Sequence, residues 1–166
     1  MPPNLKLNAV AFISPQNHPI VLRAFDRPEV QATKYHYIAH TSLDVVEERV
    51  AAAGKSAECY LGLLYAMEDV AVYGYITPLK MKIIIAIPLT DSMVRDADIL
   101  TIFKALHMAY YTSVSNPFLK LNTGNDGVAA EQASLLAVGS FQWKKFRRRI
   151  DEIHAIIASS ANLSTS

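Results

Sequence analysis

Cysteine is almost missing: Cys59 is the only one in 166 residues. An intramolecular disulfide is therefore impossible, and so is a metal site built on two or more thiolates. One free thiol fits a reducing compartment. Net charge is scarce too, with 16 Lys and Arg against 15 Asp and Glu, a formal +1. So balanced a chain offers no overall field for phosphates, which excludes nucleic acid as a general partner. Long apolar runs are also lacking. The densest, residues 81–89, falls far below the ~18 to 20 residues that cross a bilayer. The short apolar stretch after Lys6 contains Asn8, runs into Ser14-Pro15-Gln16-Asn17 and has no small-x-small cleavage site. It reads as a strand rather than a secretory signal. The expectation is a soluble, cytoplasmic protein.

Glycine-rich phosphate loops are likewise absent. Gly62 and Gly74 fall inside strand patterns, and Gly124 and Gly127 lack the Lys-Ser/Thr sequel of a P-loop. What the chain does have is apolar substance: 51% hydrophobic residues and only 19% charged. That excludes disorder and suffices for one core without staples. A single domain over residues 1–158 is expected, with a small polar tail over 159–166.

The order of elements follows from period and punctuation. Residues 7–14 are apolar at nearly every position, the mark of a strand covered on both faces. The turn residues of 15–19 join them to a second strand over 20–25. Tyr35, Ile38, Ser42, Val45, Val46, Val50 and Ala53 then recur at steps that make an amphipathic helix. Thr33 is its expected N-cap and Gly54-Lys55 its stop. Strands over 58–65, 70–77 and 81–88 follow with short connections, an antiparallel meander. A second long helix, capped by Asp91 or Ser92, places Ile99, Ile102, Phe103, Leu106 and Tyr110 on one stripe. It ends before Asn116-Pro117, because a residue preceding proline is pushed out of the α region. Residues 120–127 read as a loop and 128–138 as a short helix or loop. Trp143, Phe146, Ile150, Ile153 and Ile157 define a last helix. The predicted fold class is α+β, order β-β-α-β-β-β-α-α, with helices on both faces of a mostly antiparallel five-stranded sheet.

No catalytic constellation emerges. His36 and His40 have zinc-ligand spacing, but Tyr37 stands where a zinc hydrolase carries Glu and no third ligand is evident. Cys59 opens an apolar strand and reads as a packing residue. Glu47-Glu48 and Glu68-Asp69 read as solvated pairs. An enzyme, a metal site and a cofactor are therefore not expected. Two surface features are notable instead. Lys144, Lys145, Arg147, Arg148 and Arg149 lie largely opposite the Trp143-Phe146-Ile150 stripe, a basic amphipathic helix suited to anionic lipid or an acidic partner. On the outer face of the first helix, Leu43 and Asp44 sit with Glu47 and Glu48, an acidic patch with an apolar spot. Mixed patches of this kind on rigid elements suit protein docking.

The residues of that helix also carry a resemblance. Lys34-Tyr35-His36-Tyr37-Ile38-Ala39-His40-Thr41-Ser42-Leu43-Asp44-Val45-Val46-Glu47-Glu48 closely resembles the first helix of the sedlin-like family of TRAPP subunit 2-like proteins. Tyr60-Leu61-Gly62-Leu63-Leu64-Tyr65, Glu68-Asp69 and Val72-Tyr73-Gly74-Tyr75 look like its third and fourth strands. Phe103, Leu106-His107, Tyr110 and Asn116-Pro117-Phe118 match its second helix and exit.

The resemblance implies a longin-type fold and a place in the TRAPP assembly, which tethers vesicles and promotes nucleotide exchange on Rab GTPases. It implies an adaptor without an active site, partnered with other TRAPP subunits, indirectly with a Rab GTPase, and peripheral on Golgi and ER–Golgi membranes. Asp44 matches an acidic position that relatives use to hold neighbouring subunits; Leu43 and Glu47 join it on geometry. Residues 119–140 are longer than in compact relatives, and the basic run is no part of the motif. Two alternatives follow. One is a longin domain of another trafficking class, although a SNARE needs a downstream heptad helix and anchor. The other is a peripheral membrane module working through the basic helix.

Overall fold

A computed structural model describes residues 5–25, 32–54, 58–89, 94–115 and 144–162. The elements run β1 (Ala9–Ile13), β2 (Pro19–Ala24), α1 (Ala32–Ala53), β3 (Tyr60–Met67), β4 (Val70–Ile76), β5 (Lys82–Pro88), α2 (Asp96–Val114) and α3 (Lys144–Asn162). The strands form one sheet in the order β2-β1-β5-β4-β3. Every strand pairing in it is antiparallel. This is the expected α+β, longin-type arrangement, with β1 and β5 central and therefore covered on both faces.

Strand alternation assigns each face its partner. Val10, Phe12, Ile83, Ile85 and Ile87 point toward α2 and α3, where they meet Ile99, Phe103, Leu106, Phe146 and Ile150. Ala9, Ala11, Ile13, Ile84 and Ala86 point toward α1, where they meet Tyr35, Ile38, Ala39 and Val46. The unbroken apolar run of β5 is thus divided between two cores at a period of two. Phe12, Tyr110 and Phe146 interlock, with ring centroids 5.0 Å apart for Phe12–Phe146 and 5.7 Å for Tyr110–Phe146. They tie the end of α2 to the start of α3 across the sheet.

Several boundaries differ from the sequence expectation. Thr33 is not an N-cap, because α1 already includes Ala32. Gly54 does end the helix, at φ +61°, a conformation that glycine adopts without steric cost. β3 begins at Tyr60 and extends to Met67, since Ala66 pairs with Ala71 and Met67 with Val70. Only Glu68-Asp69 remain as the turn, Glu68 taking φ +54°. The N-cap of α2 is Arg95 rather than Asp91 or Ser92, and no side chain caps it. Asp96 and Asp98 in the first turn offset the positive end of the helix instead. α3 continues to Asn162, past the expected start of the tail at Ser159. Trp143, the sequence expectations for 119–140, and the helix or loop at 128–138 lie outside the described residues.

α3 is fastened to the edge strand β2 by two contacts. Arg23 grips Asp151 with two hydrogen bonds, at 2.9 and 3.0 Å. Beyond it Phe25 and His154 stack, with centroids 4.0 Å apart and the rings nearly parallel. Burial holds the His154 pKa below its usual value of 6.5; Asp151 pulls it up and Lys6 presses it down. The folded protein therefore resists protonation that the unfolded chain accepts. Stability is expected to fall as pH drops past 6.5, and the loss to saturate below the folded pKa of His154. His154→Phe keeps the stacking and removes the titration. Its melting temperature relative to the native chain is expected to rise between pH 7.5 and 5.5. Parallel melting curves across that range would refute the assignment.

Candidate docking surface

α1 is the element best built to present a surface. Its 22 residues make a helix about 33 Å long that connects the edge strands β2 and β3. Its inner face is pinned at several points. Buried Ser42 donates to the Ile38 carbonyl at 2.7 Å, and Tyr65 of β3 donates to the same carbonyl at 2.8 Å. Arg49 donates to the carbonyls of Leu61 and Leu63 at 2.5 and 2.6 Å. These lie beside Gly62, whose φ of +73° accompanies a bulge in β3. Covering carbonyls along this edge also blunts it against strand addition. At the other end of the helix, Lys34 reaches Glu68 at 3.0 Å and Asp69 at 3.2 Å in the β3–β4 turn. Hydrogen bonds to the two carboxylates raise the Lys34 pKa, and the lysine in turn lowers that of Asp69.

A further network ties α1 to the β1–β2 hairpin. Asn17, at φ +67° in the hairpin turn, donates to Glu47 at 2.7 Å. Its carbonyl oxygen accepts a hydrogen bond from Lys82. Lys82 is only 7% exposed. Burial lowers its pKa, while Glu47 raises it. An ammonium so enclosed is tolerable only with a polar partner, and Asn17 supplies one.

The sequence-predicted docking residues thus occupy three different settings. Asp44 is exposed, Leu43 is half-buried, and Glu47 is exposed but already engaged with Asn17. Leu43 lines a shallow open groove between α1 and the hairpin, together with Ala11, Leu22, Ala39, His36 and His40. His36 and His40 are therefore rim residues. Among the described residues no group of three His, Cys, Asp or Glu gathers as a metal site. Sequence reading missed Asn17, Lys82 and the groove alanines. Their only signal was a run of small residues in a strand and on the inner face of a helix.

The basic run sits on the first two turns of α3, on the other side of the sheet. Lys144, Lys145, Arg148 and Arg149 are exposed and Arg147 is half-buried, while Phe146 and Ile150 point into the core. Arg148 pairs with Glu152 at 3.3 Å. The structure does not bring this run together with the α1 patch. No described helix is long and apolar enough to cross a membrane.

Comparison with known proteins agrees with this architecture. The family model described as Sedlin matches residues 12–132. A Trafficking protein particle complex subunit 2-like protein of Bos taurus is 42% identical over 113 residues, covering 66% of this chain and 80% of that protein. The protein of the same name from Dictyostelium discoideum is 38% identical over 121 residues, covering 71% and 86%. The match takes in β2, α1, the meander and α2. The chain belongs to the sedlin family.

Proposed function

We propose that this chain is a non-catalytic adaptor subunit of a TRAPP vesicle-tethering assembly, one that promotes nucleotide exchange on a Rab GTPase in ER–Golgi and Golgi traffic. It holds neighbouring subunits through the outer face of α1, around Leu43, Asp44 and Glu47. It acts in the cytoplasm, peripheral on those membranes. The observation that carries the reading is an exposed Asp44 beside a half-buried Leu43, on a helix fixed to both edges of the sheet. Rigid presentation matters because a docking residue ordered beforehand loses little entropy on binding. In support, relatives carry the name Trafficking protein particle complex subunit 2-like protein.

Asp44→Arg tests it. The side chain is exposed, so the melting temperature is expected to stay within the effect of about ±0.5 kcal/mol usual for surface changes. Placing a like charge against a partner's cations is expected to weaken assembly by about 30-fold or more, the scale of a hot spot near 2 kcal/mol. Quantitative co-purification of the variant with TRAPP subunits would refute the assignment.

The basic surface of α3 supports a second contact, with anionic membrane lipid. Its cations crowd the first turns of the helix, where the macrodipole disfavours them and the first turn contains no acidic residue of its own. Flotation with phosphatidylserine vesicles is expected to carry the protein at low salt and to release it at high salt. Absence of any salt-sensitive binding would remove this contact.

A further inference from the structure

The groove beside Leu43 is more than a hollow in an acidic face. Ala11 of β1 and Ala39 of α1 line it, and the hollow next to it adds Ala9 and Ala86, where the opposite face of the sheet carries Val10, Phe12 and Ile85. A helix resting on alanines leaves space that protein interiors otherwise fill. Beside it lies a second shallow hollow reaching Tyr35 and Ile38, with Ala11, Leu22 and Ala39 common to both. Apolar walls with a solvent-facing mouth hold water poorly and suit a hydrocarbon side chain.

At its Leu43 end the surface turns acidic. Asp44, Glu47 and Glu48 are all exposed there. Arg49 is directed elsewhere, toward the carbonyls of β3, and Lys82 bonds Asn17 and acts electrostatically on Glu47. An apolar slot next to a negative surface selects its occupant by charge as well as by shape. We infer that the groove receives one apolar side chain from a partner polypeptide, whose neighbouring Lys or Arg residues pair with Asp44 and Glu47. This rests on α1 being the docking face and adds what docks there.

The test uses the assembled complex. A photoreactive benzophenone amino acid replaces His40 on the groove rim, and the cross-linked peptide is sequenced by mass spectrometry. The expected product is a segment of another protein with an apolar residue and a Lys or Arg within four positions of it. Cross-links to lipid, to a second copy of this chain, to its own residues 116–143, or to a segment without that pattern would overturn the inference. So would the absence of any cross-link.

In parallel, Ala39→Met fills the groove from the helix side. It is expected to weaken incorporation at least tenfold while the purified variant still melts cooperatively; if it does not fold, the cross-linked peptide decides. Loss of incorporation by Asp44→Arg with full retention by Ala39→Met leaves the docking face standing and refutes the groove. Retention by both variants refutes both readings. Loss by Ala39→Met alone refutes the charge pairing on which the inference depends.

Discussion

Ile85→Asp is expected to abolish folding. Ile85 is fully buried in the central strand, paired with Val10 of β1 on one side and Tyr73 of β4 on the other. Its side chain lies in the core beneath α2 and α3. Removing it forfeits about 1.5 to 3 kcal/mol of transfer energy. The carboxyl put in its place must either stay charged without a partner or take up a proton, and each course costs several kcal/mol more. The total reaches the about 5 to 15 kcal/mol that holds a domain together. The variant is expected to be insoluble, or to show no cooperative thermal transition. Ile85→Val, at about 0.5 to 1.5 kcal/mol, is expected to fold normally. A cooperative melt of Ile85→Asp within a few degrees of the native chain would contradict the placement of this strand.

Phe146→Ala is expected to give the next largest loss, and a more local one. Phe146 is 1% exposed and meets both Phe12 and Tyr110 edge-on. Truncation costs about 3 to 5 kcal/mol for a buried Phe, and the aromatic pairings are lost with it. The melting temperature is expected to fall on the order of 10 °C. α3 is then held by Ile150 in the core and by the partly buried Ile153 and Ile157 packed against it, with the exposed Arg23–Asp151 pair and the Phe25–His154 stack at the β2 edge. An exposed ion pair contributes about 0 to 1 kcal/mol and cannot replace an aromatic anchor. Amide exchange is expected to accelerate across α3 before the strands. Uniform acceleration over the whole sheet would mean that α3 is no separate cooperative unit.

Much of the architecture was legible because it depends on period. β1 and β5 lack polar alternation, and both are buried on two faces. The stripe of α2 and the Phe146–Ile150 pair of α3 face the core as their spacing requires. Caps were less legible. Thr33 and Asp91 or Ser92 are good capping residues by type, yet Ala32 and Asp96 begin the helices. Side-chain preference at a helix start is worth about 1 kcal/mol, and packing of the following turns overrides it. The β3–β4 turn proved shorter than expected because Glu68 adopts a left-handed conformation that a type-based reading assigns to glycine or asparagine.

The docking surface divides along the same line. That Leu43, Asp44, Glu47 and Glu48 share one helical face follows from 3.6 residues per turn, a local property. The sequence by itself determined this, along with the elements, their order and the apolar residues that fill both cores. Only the tertiary structure decided that β2 and β3 lie at opposite edges, that Asn17 meets Glu47 and Lys82, and that alanines of β1 and α1 line a groove beside Leu43. Asn17 and Lys82 stand 65 residues apart in the chain. No periodicity reaches that far; such meetings are set by strand register and by how a helix seats on a sheet, which depend on the whole core at once.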